Sequence, residues 1–275
     1  MRHLQPFTHR VFADFSGDDG SFGKAGSQQS LCMAWVTSRE EDIRLNEGII
    51  LAMKKTLGCK PGDELKYRSI RRHLRKMEVL DHLRNARVEV ILSPILKADI
   101  KELELKDPRT KRLVVLMHEF PMSALMRNVG RDSPEMYFQL VFDEISWQGC
   151  QERIKKEFET RLKADWSTVR RDWLVFLKSG SSAMLQMADV FAGMGREYVE
   201  STLVRTLPPC PVCWVKNRKL GCAHRRQAKP VGTSGLLRRL MPHLATGADG
   251  RVLEAGFLVR PPHVRMRYLF VDCLK

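Results

Sequence analysis

Residues 10–20 read RVFADFSGDDG and place an acidic side chain at the end of an apolar run. The apolar residues 11–13 predict a β-strand, and the Ser, Gly and Asp residues behind them predict the turn that ends it. Turn chemistry explains the later aspartates, but it explains Asp14 less well, because Asp14 still belongs to the strand. The other interpretation is that Asp14 is a metal ligand at the rim of a sheet.

Strands and helices alternate after this opening strand. Further strands are predicted over residues 31–37, 88–96, 136–145 and 173–177, the first of which would pair with the opening strand as a hairpin. Helices are predicted over residues 43–57, 70–85, 111–128, 150–162, 182–202 and 236–244, and strand-like runs over 252–259 and 264–271. Such alternation is typical of an α/β fold around a mixed sheet.

Four acidic side chains fall where they can meet at one edge of that sheet. Asp14 and Asp143 end two of the predicted strands. Glu64 follows the first predicted helix, and Asp189 lies on the last core helix. Converging carboxylates repel one another unless a cation lies between them, and hard oxygen ligands suit Mg²⁺ or Mn²⁺. Two such ions about 3.5–4 Å apart would clamp the attacking and leaving oxygens of a phosphodiester. The alternative is that each carboxylate only forms a turn, caps a helix or faces solvent. This alternative suits Asp189 least, because its neighbours are apolar and a lone buried carboxylate is costly.

The same motifs resemble a known family. The segments ADFSGDDG, ELKYRSI, VFDEIS and LQMADVFAG occur in this order and are similar to the marks of domain-of-unknown-function family 3800. The resemblance spans about residues 10–200. It implies an α/β, RNase-H-like fold, with a mixed sheet flanked by helices. By analogy with that fold, it also implies metal-dependent phosphodiester hydrolysis that leaves 3′-hydroxyl and 5′-phosphate ends.

The resemblance also implies roles for individual residues. The four carboxylates named above would be the ligands of a catalytic Mg²⁺ or Mn²⁺ ion, and Lys66 would lie near them, facing a phosphate. Family members have Glu after the first Asp, where this chain has Phe15. Neighbouring strand residues point to opposite faces, so Phe15 should face away from Asp14 and leave the metal site in place. The departure also fits a specialised or weakened site.

A second pattern, CPVCWVKNRKLGCAH, has the spacing of metal ligands. Three thiolates and one imidazole suit a tetrahedral, structural Zn²⁺ site: Cys210, Cys213, Cys222 and His224. Free cysteines or a redox pair are the alternatives, but a thioredoxin-type pair would need a βαβ context that is absent here. The sequence therefore predicts a small zinc-binding module.

Positive charge is concentrated behind the predicted core. The formal net charge is +15, and residues 201–275 carry 14 Lys and Arg against 3 Asp and Glu. This distribution predicts a region that binds a polyanion, with nucleic acid as the favoured partner and an acidic protein as the alternative. Basic side chains between and after the zinc ligands are the predicted contacts: Lys216, Arg218, Lys219, Arg225, Arg226 and Lys229.

Three segments are expected. They are an RNase-H-like core over 1–203, a basic zinc-binding insertion over 204–230, and a basic C-terminal helix and strands over 231–275. No run approaches 18 apolar residues and the start lacks signal-peptide features, which predicts a cytoplasmic protein without a membrane partner. A metal-dependent nuclease is the favoured hypothesis. The alternative is a catalytically inactive module that binds nucleic acid, and a protein partner or a homo-oligomer stays open.

Overall fold

The described part of the chain is built on one mixed five-stranded sheet. The computed structural model describes residues 7–17, 30–60, 62–96, 138–144, 151–152, 155–156, 174–206 and 233–245. The strands are β1 (His9–Ser16), β2 (Ser30–Arg39), β3 (Glu89–Leu96), β4 (Phe138–Asp143) and β5 (Leu174–Leu177). They run in the order β3-β2-β1-β4-β5, antiparallel from β1 to β3 and parallel from β1 to β5. The α/β fold with an RNase-H-like mixed sheet is therefore confirmed.

Helices cover one face of this sheet. They are α1 (Ile43–Leu57), α2 (Tyr67–Arg72), α3 (Lys76–Asp81), α4 (Ala183–Thr206) and α5 (Thr233–Leu240). Helix α4 packs on β1, β2 and β3, and α1, α2 and α5 pack against α4. Among the described helices, none is long and apolar enough to cross a membrane.

Some predicted elements lie outside the described residues. These are the helix over 111–128 and the strand-like runs over 252–259 and 264–271. Of the helix over 150–162, residues 151–152 and 155–156 are described, and they are helical.

The single helix predicted over 70–85 is wrong. Helix α2 ends at Arg72, His73 has extended backbone with φ −80° and ψ 140°, and α3 begins at Lys76. In one continuous helix Leu74 would share a face with Ile70. Ile70 is fully buried, whereas Leu74 is fully exposed, so the two short helices bring their apolar residues to the core from different directions.

The two faces of the sheet have different neighbours. Phe12 belongs to the core cluster under α4, and strand alternation places Asp14 on the same face. Ala13 and Phe15 fall on the opposite face, in agreement with the sequence prediction for Phe15. That face carries an aromatic row: Trp35, Phe142 and Phe176, with successive ring centroids 5.3 and 5.7 Å apart.

Helix α4 approaches its neighbours closely because it has glycine at two contact points. A Cβ atom on Gly193 would overlap the Cβ and ring carbons of Tyr67 at the start of α2. A Cβ atom on Gly195 would lie 2.9 Å from Leu92 Cδ1 on β3. The α4 backbone therefore rests directly on α2 and on the sheet, which brings its side chains to the sheet edge.

We expect Gly193→Ala to lower the free energy of unfolding by about 1–3 kcal/mol, because the added methyl group would displace the buried Tyr67 ring. Gly48→Ala on α1 is the matched control, since a Cβ atom there meets nothing within 4 Å. Alanine favours a helix over glycine, so the control should gain about 0.5–1 kcal/mol. Urea denaturation measures both variants, and a Gly193→Ala protein as stable as the parent would contradict the packing described.

Candidate active site

Two carboxylates come from neighbouring parallel strands. The last residue pair between β1 and β4 joins Ala13 to Phe142, so Asp14 and Asp143 follow next at the same edge of the sheet. Asp14 is 4% exposed, and its Oδ1 accepts a hydrogen bond of 2.7 Å from the next backbone N–H. Asp143 Oδ1 accepts a hydrogen bond of 2.8 Å from the Ser179 backbone N–H, just beyond β5.

The third carboxylate comes from α4. Asp189 is 8% exposed, and its Oδ2 accepts a hydrogen bond of 2.5 Å from the Tyr67 backbone N–H. One turn earlier, Gln186 accepts a 3.0 Å hydrogen bond from the Leu65 N–H and donates one of 3.0 Å to the Ser179 carbonyl. Gln186 is 2% exposed and holds the backbone of residue 65 to the backbone of residue 179.

Glu64 and Lys66 complete the group. Lys66 Nζ lies 2.6 Å from Glu64 Oε1 and donates a 3.0 Å hydrogen bond to Ser179 Oγ, and that hydroxyl donates to Glu64. The side chains of Glu64 and Lys66 remain 31% and 29% exposed. This side of the group therefore faces solvent, whereas Asp14 and Asp189 lie deeper.

Sequence reasoning missed the role of Ser179. Residues 179–181 form a 3₁₀ turn, and Ser182 Oγ accepts a hydrogen bond from the Leu185 N–H at the start of α4. Ser179 nevertheless contacts three of the predicted site residues, through its hydroxyl and its backbone N–H: Glu64, Lys66 and Asp143. The available signal was its position directly after β5, the strand beside β4.

Burial and mutual repulsion raise the pKa values of the three aspartates. Burial is the largest cause for Asp14, whose pKa lies well above its usual value, and the charges of Asp189 and Asp143 raise it further. Burial also raises the pKa of Asp143 and of Asp189. For Glu64 burial acts in the same direction, but hydrogen bonds from Lys66 and Ser179 outweigh it and lower the pKa.

Lys66 is the counter-ion that the four carboxylates share. Its charge acts to lower the pKa of every one of them: Asp14, Glu64, Asp143 and Asp189. Burial acts to lower the pKa of Lys66 itself, but the Glu64 hydrogen bond and the charges of Asp14 and Asp189 outweigh it and raise that pKa. One ammonium group cannot balance four ionised carboxylates, so the site attracts further positive charge.

The donor chemistry fits Mg²⁺ or Mn²⁺. Within the described residues, one oxygen of each aspartate accepts no hydrogen bond from the protein: Asp14 Oδ2, Asp143 Oδ2 and Asp189 Oδ1. Carboxylate oxygens are the hard ligands that these ions prefer. As they stand, however, no three His, Cys, Asp or Glu side chains in the described ranges are placed to hold a metal ion. Metal binding would have to draw the carboxylates together around the ion and loosen the contact between Lys66 and Glu64.

The other predicted site residues lie outside the described ranges. They are the zinc ligands Cys210, Cys213, Cys222 and His224 and the basic contacts Lys216, Arg218, Lys219, Arg225, Arg226 and Lys229. Their roles stay predictions.

Replacing Asp14 by Asn tests the repulsion directly. Below the usual pKa of 3.8, the folded and unfolded states are both protonated at Asp14. As pH rises from there toward the raised folded-state pKa, the unfolded state ionises first and the parent loses stability. In chelator at pH 7, we therefore expect Asp14→Asn to gain on the order of 1 kcal/mol in unfolding free energy. The gain should shrink as pH falls toward 3.8.

Mg²⁺ should then stabilise the parent protein but not Asp14→Asn, because a ligand that binds only the folded state raises its stability. Glu41→Gln is the control, since Glu41 is 75% exposed on the side chain and lies just beyond the opposite end of β2. Thermal unfolding across pH measures all three proteins. An Asp14→Asn protein that is less stable than the parent at every pH would contradict the electrostatic interpretation.

Comparison with known proteins gives a distant structural likeness. No protein-family profile matches the chain, and no curated protein matches it by sequence. A crystal structure of a point mutant of Bst-RNase HIII is similar at 14% identity and a TM-score of 0.44, over 85% of this chain and 67% of that one. The crystal structure of Bst-RNase HIII in complex with Mn²⁺ is similar at 14% identity and a TM-score of 0.33, over 84% and 65%. At these scores the likeness carries no argument about activity, and the fold rests on the strand order and directions.

Proposed function

We propose that the protein is a divalent-metal-dependent nuclease that hydrolyses nucleic-acid phosphodiester bonds. The observation that carries the proposal is the placement of four carboxylates at one sheet edge beside Lys66. Asp14 and Asp143 lie at the ends of neighbouring parallel strands, Asp189 accepts from the Tyr67 N–H, and Glu64 pairs with Lys66. Repulsion between buried carboxylates makes their ionised forms costly, and a bound divalent cation would remove that cost. A metal-binding role therefore explains why the carboxylates lie so close together. The motifs that resemble those of family 3800 support the same function as a resemblance only, since no protein-family profile matches the chain.

The four carboxylates would hold Mg²⁺ or Mn²⁺, with Asp14 and Asp143 as the central ligands. When bound, the ion would activate a water molecule and neutralise charge on the phosphate. The Tyr67 N–H fixes one Asp189 oxygen and leaves the other open, and the Ser179 N–H does the same for Asp143. Lys66 has a third N–H beyond those given to Glu64 and Ser179, and it would donate that one to a phosphate oxygen.

We also propose that residues 204–230 form a structural zinc module inserted into the core. Helix α4 ends at Thr206 and α5 begins at Thr233, while Leu236 and Leu240 of α5 belong to the same core cluster as α4. The described chain therefore belongs to the core both before and after the Cys and His residues. On this proposal, the core is formed by residues 1–203 together with the start of 231–275.

The zinc proposal predicts about one zinc ion per chain, as a Cys₃His set would bind. Cys210→Ser with Cys222→Ser should abolish that content. Cys59→Ser is the matched control, because Cys59 is a half-buried free cysteine shortly after α1 and outside the predicted ligand set. Elemental analysis of purified protein measures the metal. A parent protein free of zinc after expression with zinc supplied would rule the module out.

The second candidate function is nucleic-acid binding without catalysis. The observation in its favour is that Lys66 already pairs with Glu64, while the described carboxylates are not gathered into a metal-binding group. In that case the acidic edge would be inert and the basic regions would do the binding.

A cleavage assay separates the two candidates. Labelled single-stranded, duplex, hybrid and branched substrates are incubated with the protein in Mg²⁺, in Mn²⁺ or in chelator. We expect metal-dependent cleavage that falls at least about 100-fold in Asp14→Asn and in Asp143→Asn, because each removes a ligand charge at the reacting centre. Glu41→Gln should cleave as the parent does. Binding without cleavage in any metal, or cleavage that survives both substitutions, would overturn the proposal.

A further inference from the structure

We propose that the exposed face of α2, formed by Arg68, Ser69 and Arg72, binds the phosphate backbone of a nucleic-acid strand as that strand enters the carboxylate site. The inference rests on the proposed function and adds a contact surface within the core. It is separate from the basic residues predicted around the zinc module.

Helix α2 has an inner face that is anchored firmly. Tyr67 and Ile70 are buried, and Arg71 Nε lies 3.3 Å from Glu197 Oε2 on α4. Tyr67 Oη donates a 2.9 Å hydrogen bond to the same carboxylate, and Lys76 Nζ lies 2.6 Å from its other oxygen. These contacts, all on the inner face, set the orientation of this short helix.

The outer face of α2 carries arginines that have no acidic partner within ion-pair distance among the described residues. Arg68, Ser69 and Arg72 are exposed. No Asp or Glu in the described ranges forms an ion pair with Arg68 or Arg72, whereas the nearby Arg75 pairs with Glu78. Residues four apart on a helix have Cβ atoms about 5–6 Å apart, so the two guanidinium groups can reach neighbouring phosphates of one strand. The Ser69 hydroxyl between them adds a neutral donor.

This face adjoins the carboxylates. Arg68 directly follows Tyr67, whose backbone N–H donates a hydrogen bond to Asp189, and it lies two residues after Lys66. A polyanion that approaches four carboxylates is repelled unless positive charge stands beside them, and Lys66 is already engaged with Glu64. Arg68 and Arg72 supply that charge on the solvent side of the same segment. Contacts of this kind position a strand without reading its sequence.

Binding measured without cleavage tests the inference. The full-length Asp14→Asn protein is titrated into a fluorescein-labelled single strand, and into the matching duplex, in chelator at several salt concentrations. Arg68→Gln with Arg72→Gln should weaken single-strand binding at least about 10-fold at low salt. It should also reduce the slope of log affinity against log salt by about 1.4, or by about 1.8 if the duplex is the ligand. Whichever ligand shows the larger loss identifies the form of nucleic acid that α2 contacts.

Two matched variants control for charge and fold. Arg44→Gln removes an exposed arginine from the start of α1, beyond the opposite end of β2, and should leave the slope unchanged. Arg68→Lys with Arg72→Lys keeps the charge and should retain most of the slope. Melting temperatures within about 2 °C of the parent would verify that the surface substitutions preserve the fold.

An unchanged slope in the Gln variant, or an equal loss in Arg44→Gln, would overturn the inference. Equal competition by polyglutamate of matched charge would also overturn it, in favour of an acidic protein partner. The assay contains no metal and no turnover. If the Gln variant reduces the salt slope but the parent cleaves no substrate in the cleavage assay, the nuclease proposal is rejected and the α2 surface is kept. If the parent cleaves but the Gln variant leaves the salt slope unchanged, the α2 surface is rejected and the nuclease proposal is kept.

Discussion

The hydrogen bond from the Tyr67 backbone N–H to Asp189 Oδ2 connects the site to the fold. It forms because Gly193 presents no side chain where Tyr67 packs, and because Glu197 holds the Tyr67 hydroxyl further along α4. The irregular segment before Tyr67 carries the exposed half of the site, and this contact fixes one end of it. The Gln186 side chain holds the Leu65 N–H of the same segment, so α4 positions Glu64 and Lys66 beside the strand-end carboxylates.

Charge and burial oppose each other at this sheet edge. Asp14 and Asp189 lie where a carboxylate is costly to ionise, and Lys66 offsets the repulsion only in part. The core beneath α4 contains large buried side chains and can absorb such a local cost, because the stability of a domain is summed over many contacts. Carboxylates with strongly shifted pKa values are common in active sites. This is the physical reason for interpreting the four carboxylates as a functional site rather than as surface charge.

Much of the fold was predictable because its signals are local. The β1–β2 hairpin, α1, β3 and α4 follow from apolar periodicity and from stop signals such as Gly58, which caps α1 with φ 71°. The break at His73 was not predictable, since residues 70–85 have helical spacing throughout, and tertiary contacts decide where such a helix divides. Asp14 and Asp143 were identifiable as strand ends. The hydrogen bonds of Ser179 and Gln186 were not, because they involve backbone groups that come together only after folding.

Strand β1 is paired on both sides: with β2 along its whole length, and with β4 from His9 as far as Ala13. Backbone held in this way opens only when the whole domain unfolds, so amide exchange should be slowest there. Glu64, by contrast, lies in irregular backbone, whereas Asp143 is paired with Leu177 of β5. The site thus combines three carboxylates on regular secondary structure, Asp14, Asp143 and Asp189, with one on backbone outside it. The backbone adjustment that an arriving ion requires would therefore fall on Glu64 and on its contact with Lys66.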